Sequence, residues 1–537
     1  MPVQIPMGLP SLLLAMTPVL ILLVTILGFG WSVSKAAPLG MAAAFLIAAC
    51  FFKSTPSALL VETGKGIWSA ATILLVVWPA LLSYELSCQV NGFQAICRGI
   101  QGMTQNELLQ ILILGWIFPS FLQGITGFGV AVAVGAPLLV SIGVMPVYSV
   151  IIVLLCHCWG GTFGTLALAW EALIGQMGMN PAQNAQAAFG AAGMIWIYNL
   201  ACVLLVCRMY GGWRAVKKLA PAVALLSLIM GGGELLIAPV NPTVSCFLPA
   251  AAALGAAVLL CRRKAFRTPW RVFQSKIMNK PPEKSGTVEK ISFHQAFLPY
   301  YLLTGIAVVC LLIPPVKSVL SKWSVSFAFP GSVTGYGFAT EAETTFSPLR
   351  PLVYAGTFLT LSDVLAVWFY KKMGLLRRGG FRTAWLKTVK KCAQPTIAIA
   401  SLLVMSKFMS SSGMIYVLSQ GIVSLLGRGY ILAAPFLGML GAFITSSNMS
   451  SNILLGSLQR TAADLLSVNP VFFAMLQTVG GMLGNAFAPG CTIMGITTTG
   501  CRGKDSEILR RVLPLSVLFA AIFGLAVFLL LEGKIFG

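Results

Sequence analysis

Residues 119–137 read PSFLQGITGFGVAVAVGAP. Between Pro119 and Pro137 lie Gly124, Gly127, Gly129 and Gly135, with Ser120, Gln123 and Thr126 beside them. The stretch is apolar enough for hydrocarbon, yet it is broken too often to be one straight helix. Irregular backbone exposed to lipid leaves polar groups unpaired, so such a segment must be buried in protein or line a water-filled cavity. A helix restarting near Gly127 would aim free N–H groups and a positive dipole end at a ligand. A binding hairpin is therefore expected near 119–137. Its competitor is plain helix packing through small residues.

The surrounding chain sets the environment. It has 537 residues, of which 57% are hydrophobic and 9% charged, and a mean hydropathy of +0.88. Soluble domains carry about 25% charged residues, so soluble enzymes, disordered scaffolds and secreted disulfide frameworks are excluded. Apolar runs of spanning length recur from end to end. The expected fold class is an all-α polytopic membrane protein with about 12–14 transmembrane helices plus re-entrant hairpins. The cysteines at 50, 156, 158, 202, 246 and 310 fall inside these runs and read as small buried hydrophobes. Residues 1–10 hold no Lys or Arg, so the run 11–30 is expected to be a retained first helix rather than a cleaved signal.

Charge gives the topology. The net charge of +22 would suggest nucleic acid in a soluble protein, but here the basic residues sit in loops, where they meet anionic lipid headgroups. No nucleic-acid partner is expected. Arg262, Arg263, Lys264, Arg267, Arg271, Lys276, Lys280, Lys284 and Lys290 crowd one loop, and eight Lys or Arg with no acid occupy 371–391. The positive-inside rule makes both loops cytoplasmic. Alternation then places 172–186 and both termini outside. The first loop divides the chain into an N-terminal membrane half (1–261), a basic linker (262–294) and a C-terminal membrane half (295–537). Halves of similar length suit two inverted repeats.

The second half answers the first. Residues 445–459, TSSNMSSNILLGSLQ, put five hydroxyls and two asparagines ahead of an apolar run, at membrane depth, and a second hairpin is expected there. Asn448 or Ser450 is expected to cap a half-helix whose N-terminus faces a small anion. Residues 480–500, GGMLGNAFAPGCTIMGITTTG, break a third helix near Asn485; unwound carbonyls there could hold a cation, or the stretch is simply a bend.

Ionisable groups in a bilayer are functional candidates by default. Counting from span ends, Glu234, Asp363, Lys407 and His157 lie deepest. His157 titrates nearest neutrality in its unperturbed form and ranks first as proton relay, ahead of Asp363 and Glu234. Lys407 is a candidate for the substrate carboxylate, for an ion pair with Asp363, or for snorkelling to an interface. Glu171 reads as ordinary surface. Cys156, His157 and Cys158 are adjacent on one helix and cannot converge on one ion, so no metal site is expected.

Four stretches together resemble the L-lactate permease family: FLQGITGFGVAVAVGAPLLVSIG from Phe121, HCWGGTFG from His157, TSSNMSSNILLGSLQ from Thr445, and GNAFAP followed by GKDSEILR near the C-terminus. The likeness runs nearly the whole chain in order. It implies a secondary carrier of the bacterial inner membrane that takes up lactate, and in several members glycolate, with protons. It also implies a wider ion-transporter superfamily with paired hairpins and elevator-like motion. Where the best-known members carry Glu, Asp and Lys, this chain has Gln123, Asn448 and Asn485, and it adds His157.

The resulting expectation is a proton-coupled carrier of L-lactate or a related small 2-hydroxy monocarboxylate, working without cofactor. Helix N-termini near Gly127, with Asn448, Ser450 and Thr126, would take the carboxylate, and Gln123 or Thr162 the hydroxyl. Lys407 and Asn485 complete the candidate set. The alternatives are a carrier of another small organic anion, Na⁺-coupled included, a channel, or a membrane enzyme. Two histidines in the chain and no HExxH, GxSxG or Walker A pattern weigh against catalysis and ATP-driven transport. A homodimer is left open.

Overall fold

In this computed structural model residues 5–127, 129–279 and 291–533 are described. Lys280, Lys284 and Lys290 of the basic linker lie outside the described residues. Among the described residues, ten helices are long and apolar enough to cross a membrane, twelve if two bent pairs are each counted as one span. That meets the lower edge of the sequence expectation, because some apolar runs fuse. The runs at 187–207 and 219–240 belong to one unit, Pro181–Ile237, interrupted at Gly211 and Gly212, where Gly212 takes φ 65 and ψ −158. The run at 128–143 becomes Val130–Ser141, 12 residues long; at 1.5 Å per residue it spans about 18 Å and cannot cross. Cys156, Cys158, Cys202 and Cys246 are buried as expected, whereas Cys50 is exposed.

Contacts sort the helix ends into two groups. At one end Thr104 donates to the Phe266 carbonyl (2.7 Å) and Arg271 pairs with Glu107 (3.3 Å). There too Lys391 pairs with Glu85, and Arg511 lies over the Tyr148 ring. Arg271, Lys391 and Arg511 gather here, and we call it the basic end. At the other, Lys65 binds Glu343 (3.1 Å), Gln176 accepts from Ser406 and Ser457, and Arg460 donates to the Met177 carbonyl.

The second end carries structure the helical reading did not foresee. Val325–Phe329 pairs antiparallel with Glu343–Leu349, Phe327 opposite Phe346, forming a two-stranded ribbon. Trp68 meets the Phe327 ring edge-on at 4.7 Å, and the buried Lys65, held by Glu62 (3.3 Å), anchors the ribbon through Glu343. We call this the ribbon end.

Positive-inside orientation gives a direct prediction. In a background without reactive thiols, Arg378→Cys should be shielded from an impermeant thiol reagent in intact cells, and Glu341→Cys on the ribbon should label. The reverse pattern would invert the orientation.

Candidate functional site

Two helical hairpins with their feet at opposite ends define the interior. The first runs from Glu107–Ile125 through a turn to Val130–Ser141. Both feet rest on the basic segment: Asn106 bridges Trp270, Met145 N–H donates to the Ile277 carbonyl (2.8 Å), and Asn279 N–H to the Gly143 carbonyl (2.8 Å). The second is Tyr430–Thr445 followed by Asn448–Leu465, its feet at the ribbon end, where Arg460 meets Met177 and Tyr430 donates to Gln459 (2.9 Å). Its tip is Ser446, left-handed at φ 55, and Ser447, whose hydroxyl accepts from the Ser450 N–H (3.3 Å).

Each hairpin is followed by a span broken in its middle. Pro146–His157 passes through a 3₁₀ turn, Cys158–Gly161, into Gly164–Met177 with a 53° bend. Within it Thr165, Leu166 and Ala167 form three successive left-handed residues (φ 51, 54 and 64), none of them glycine. Such a run costs about 1–2 kcal/mol per residue and persists only where neighbours impose it. Asn452 of the second hairpin holds the turn by donating to the Ala169 carbonyl (2.8 Å). The other broken span is Pro470–Asn485, an interruption at 486–488, and Pro489–Thr499.

The two tips and the two breaks meet around one cavity of about 70 Å³. At roughly 10–15 Å³ per water position, it holds several waters or one three-carbon acid. Among the described residues its lining carries no charged side chain. Instead it collects the starts of four helices: Gly129, which precedes Val130; Leu168, where right-handed helix resumes after the left-handed run; Ser447 with Asn448; and Cys491, two residues into Pro489–Thr499. Positive dipole ends converge there, which favours an anion.

Asn448 is the junction. Its amide donates to the carbonyls of Gly161 (3.0 Å) and Thr478 (3.1 Å) and to the hydroxyl of Thr478 (3.3 Å), so one side chain joins the second hairpin to both broken spans. Gly481 leaves the space for it, since a Cβ there would overlap the Asn448 Oδ1. That Oδ1 and the Oε1 of Gln123 are buried acceptors without a donor, and buried acceptors are rarely left so.

The sequence candidates sort accordingly. Gln123, Asn448 and Asn485 line the cavity. Thr162 stands behind Asn448, sharing a hydroxyl pair with Thr478 (3.1 Å). Gly127 forms the first tip at φ 59, and a Cβ there would overlap the Thr165 hydroxyl. The Thr126 hydroxyl turns back onto the Leu122 carbonyl (2.8 Å) and is not part of the lining. The expected cap at Asn448 or Ser450 is corrected: Ser447 caps, Asn448 is the first helical residue, and Ser450 contributes its backbone N–H and does not line the cavity.

Lys407 lies elsewhere. It lines a second cavity of about 570 Å³ toward the ribbon end, with its Nζ 5.1 Å from the Phe346 ring. Leu168 lines both cavities, so the larger one is a vestibule beside the smaller. Glu171, read from sequence as ordinary surface, lines the vestibule. The Lys407–Asp363 pair is not formed: Asp363 accepts from Ser83, between other helices. The His157 ring, 1% exposed, puts Nδ1 on the carbonyls of Val153 (2.9 Å) and Leu154 (3.0 Å), leaving Nε2 without a partner. Glu234 is fully buried beside Trp159. Sequence reasoning missed Thr165, Ser446, Ser447 and Thr478; only the serines carried a signal, as tip residues of the quoted polar cluster.

A family model described as L-lactate permease matches residues 11–532. The L-lactate permease of Halalkalibacterium halodurans is 24% identical over 96% of this chain and 95% of its own length. The glycolate permease of Escherichia coli K12 is 26% identical over 96% and 94%, and that organism's L-lactate permease 25% over 96% and 94%. A crystal structure of the YdaH transporter of Alcanivorax borkumensis covers 92% of this chain and 89% of its own at 12% identity, with a TM-score of 0.36. With the family model matched across almost its entire length, the chain belongs to the L-lactate permease family and is a multi-pass transporter of the bacterial cell membrane.

Proposed function

We propose that this permease takes up L-lactate or a closely related 2-hydroxy monocarboxylate, glycolate included, together with a proton. The observation that carries the reading is the small cavity where four helix N-termini face two unpaired buried acceptors. A carboxylate would accept from the helix-start N–H groups. The 2-hydroxyl would donate to Asn448 Oδ1 or Gln123 Oε1, which no protein group satisfies. Relatives are named L-lactate permease and glycolate permease, and both acids have this pattern.

Coupling follows from driving forces. A lone lactate anion is expelled by an inside-negative potential, at about 2.3 kcal/mol per 100 mV. Carried with one proton it moves no net charge, and each pH unit is worth about 1.4 kcal/mol, or tenfold accumulation. We further read the first hairpin with its broken span and the second with its own as inverted repeats. In this reading they move as one body against the long helices Val33–Cys50, Pro56–Gln89 and Gly380–Ser411. The opposite footing of the hairpins and the dense packing among those three helices support it.

Counterflow in proteoliposomes tests the reading. Labelled lactate should exchange against unlabelled lactate or glycolate, and propionate, which lacks the hydroxyl, should compete about tenfold or more weakly. Equal competition by propionate would remove the hydroxyl from the recognition scheme. Absence of exchange would reject the carrier.

A further inference from the structure

We propose that Glu234 carries the coupled proton, an assignment that rests on the proton-coupled reading above. Of the buried acids among the described residues, Glu62 and Glu85 are paired with Lys65 and Lys391, and Asp363 accepts from Ser83. Glu234 alone among them is 0% exposed with no ion pair and with no close hydrogen bond to either carboxyl oxygen. An unpaired carboxylate charge is not sustained in such a place, so the group is held as the neutral acid.

Its position ties it to the cavity. Glu234 follows a π turn, Leu228–Gly232, a local widening that recurs at functional sites. The Trp159 indole lies beside its carboxyl, and the indole N–H is likewise without a partner. Trp159 belongs to the 3₁₀ turn whose next two residues, Gly160 and Gly161, line the cavity. Cys246, the other neighbour of the carboxyl, abuts Gly160: a Cβ on that glycine would sit 3.3 Å from its Sγ and 2.7 Å from the Gln123 Cγ. One layer of side chains thus separates the acid from the cavity.

The elements packed against the short helix Gly233–Ile237 that carries Glu234 are Pro181–Ser227, the π turn and Pro242–Ser245, with Pro249 beside Gly233 and Trp159 of the 3₁₀ turn beside the carboxyl. Cys246 is the titratable side chain facing it, and no charged side chain among the described residues interacts with it. The proton is therefore retained or lost according to whether water and the anion reach this layer. On the ribbon side an O–H bond forms on the carboxylate with a proton from the external solution. On the basic side that bond breaks and the proton leaves to the internal solution with the substrate. His157, by contrast, spends its Nδ1 on its own helix.

Glu234→Gln keeps the shape and removes the titration. In proteoliposomes at equal pH on both faces, its lactate counterflow should stay within about twofold of the native rate. Under a gradient of one pH unit, acid outside, native protein should accumulate lactate about tenfold and the variant should not accumulate it. An inside-positive potential should instead drive uptake by the variant. Native-like accumulation by E234Q would overturn the proposal. So would loss of counterflow in a variant that still elutes as native, which would move Glu234 to substrate binding. Failure of counterflow in the native protein would reject the carrier reading itself. Dicyclohexylcarbodiimide, which attacks protonated carboxyls in apolar surroundings, supplies a measurement on native protein should E234Q not fold. A mass-mapped adduct on Glu234, formed faster at acidic than at alkaline pH, is expected, and its absence would overturn the assignment.

Discussion

Gly127→Ala should abolish lactate counterflow and lower the thermal stability of the purified protein. The residue sits at φ 59, where any Cβ costs about 1–2 kcal/mol, and the new methyl would overlap the Thr165 hydroxyl. Thr165 cannot yield easily, because it begins the left-handed run that bends the first broken span. Either the hairpin tip lifts away from the break or the break unwinds, and both destroy the cavity wall. Gly129→Ala is the control. It is also left-handed, at φ 78, but its nearest neighbour is a flexible Met494 methyl 3.6 Å away. It should show the backbone cost alone and keep measurable exchange. Equal losses at the two positions would mean that backbone strain, rather than contact with Thr165, fixes the tip.

Asn448→Ala should weaken lactate binding tens- to several hundredfold while leaving the protein in the membrane. The substitution leaves the Gly161 and Thr478 carbonyls without their shared donor and unties both broken spans from the second hairpin. Orphaned buried acceptors cost about 1–3 kcal/mol each, and about 1.4 kcal/mol is tenfold in affinity. Ser450→Ala, two residues on, should stay within about twofold, since only the Ser450 backbone N–H takes part in the cap. Binding measured by isothermal titration or by competition in counterflow separates the two. Comparable losses would return the polar cluster to general helix packing.

What the sequence made legible follows from one constraint, that backbone in hydrocarbon must pair with itself. The Pro and Gly punctuation of 119–137 and the serines and asparagines of 445–459 violate a straight helix, and both stretches are hairpin tips with Gln123 and Asn448 in one cavity. The left-handed run at 165–167 was not legible. Thr, Leu and Ala give no local reason for positive φ; it is imposed by Gly127 and Asn452, distant in the chain. Lys407 was placed too deep because depth was counted from the ends of apolar runs. The helix Gly380–Ser411 has 32 residues, about 48 Å at 1.5 Å per residue, and carries Lys407 out to the vestibule. The ribbon announced itself only by alternating phenylalanines in Val325–Phe329, a period-two pattern set among helix-length runs.

The cavity wall is drawn from residues 123–129, 160–169, 446–449 and 485–491, and that dispersal has a consequence for biosynthesis. A ribosome adds roughly 5–20 residues per second, so on the order of twenty seconds to a minute passes between emergence of the first wall segment and the last. Through most of that interval the first broken span stands in the bilayer with its Gly161 carbonyl still lacking the Asn448 amide that it meets in the finished fold. The nascent N-terminal half is therefore the species most exposed to quality-control proteases. Its lifetime ends only when Asn448 arrives to fasten the two halves together.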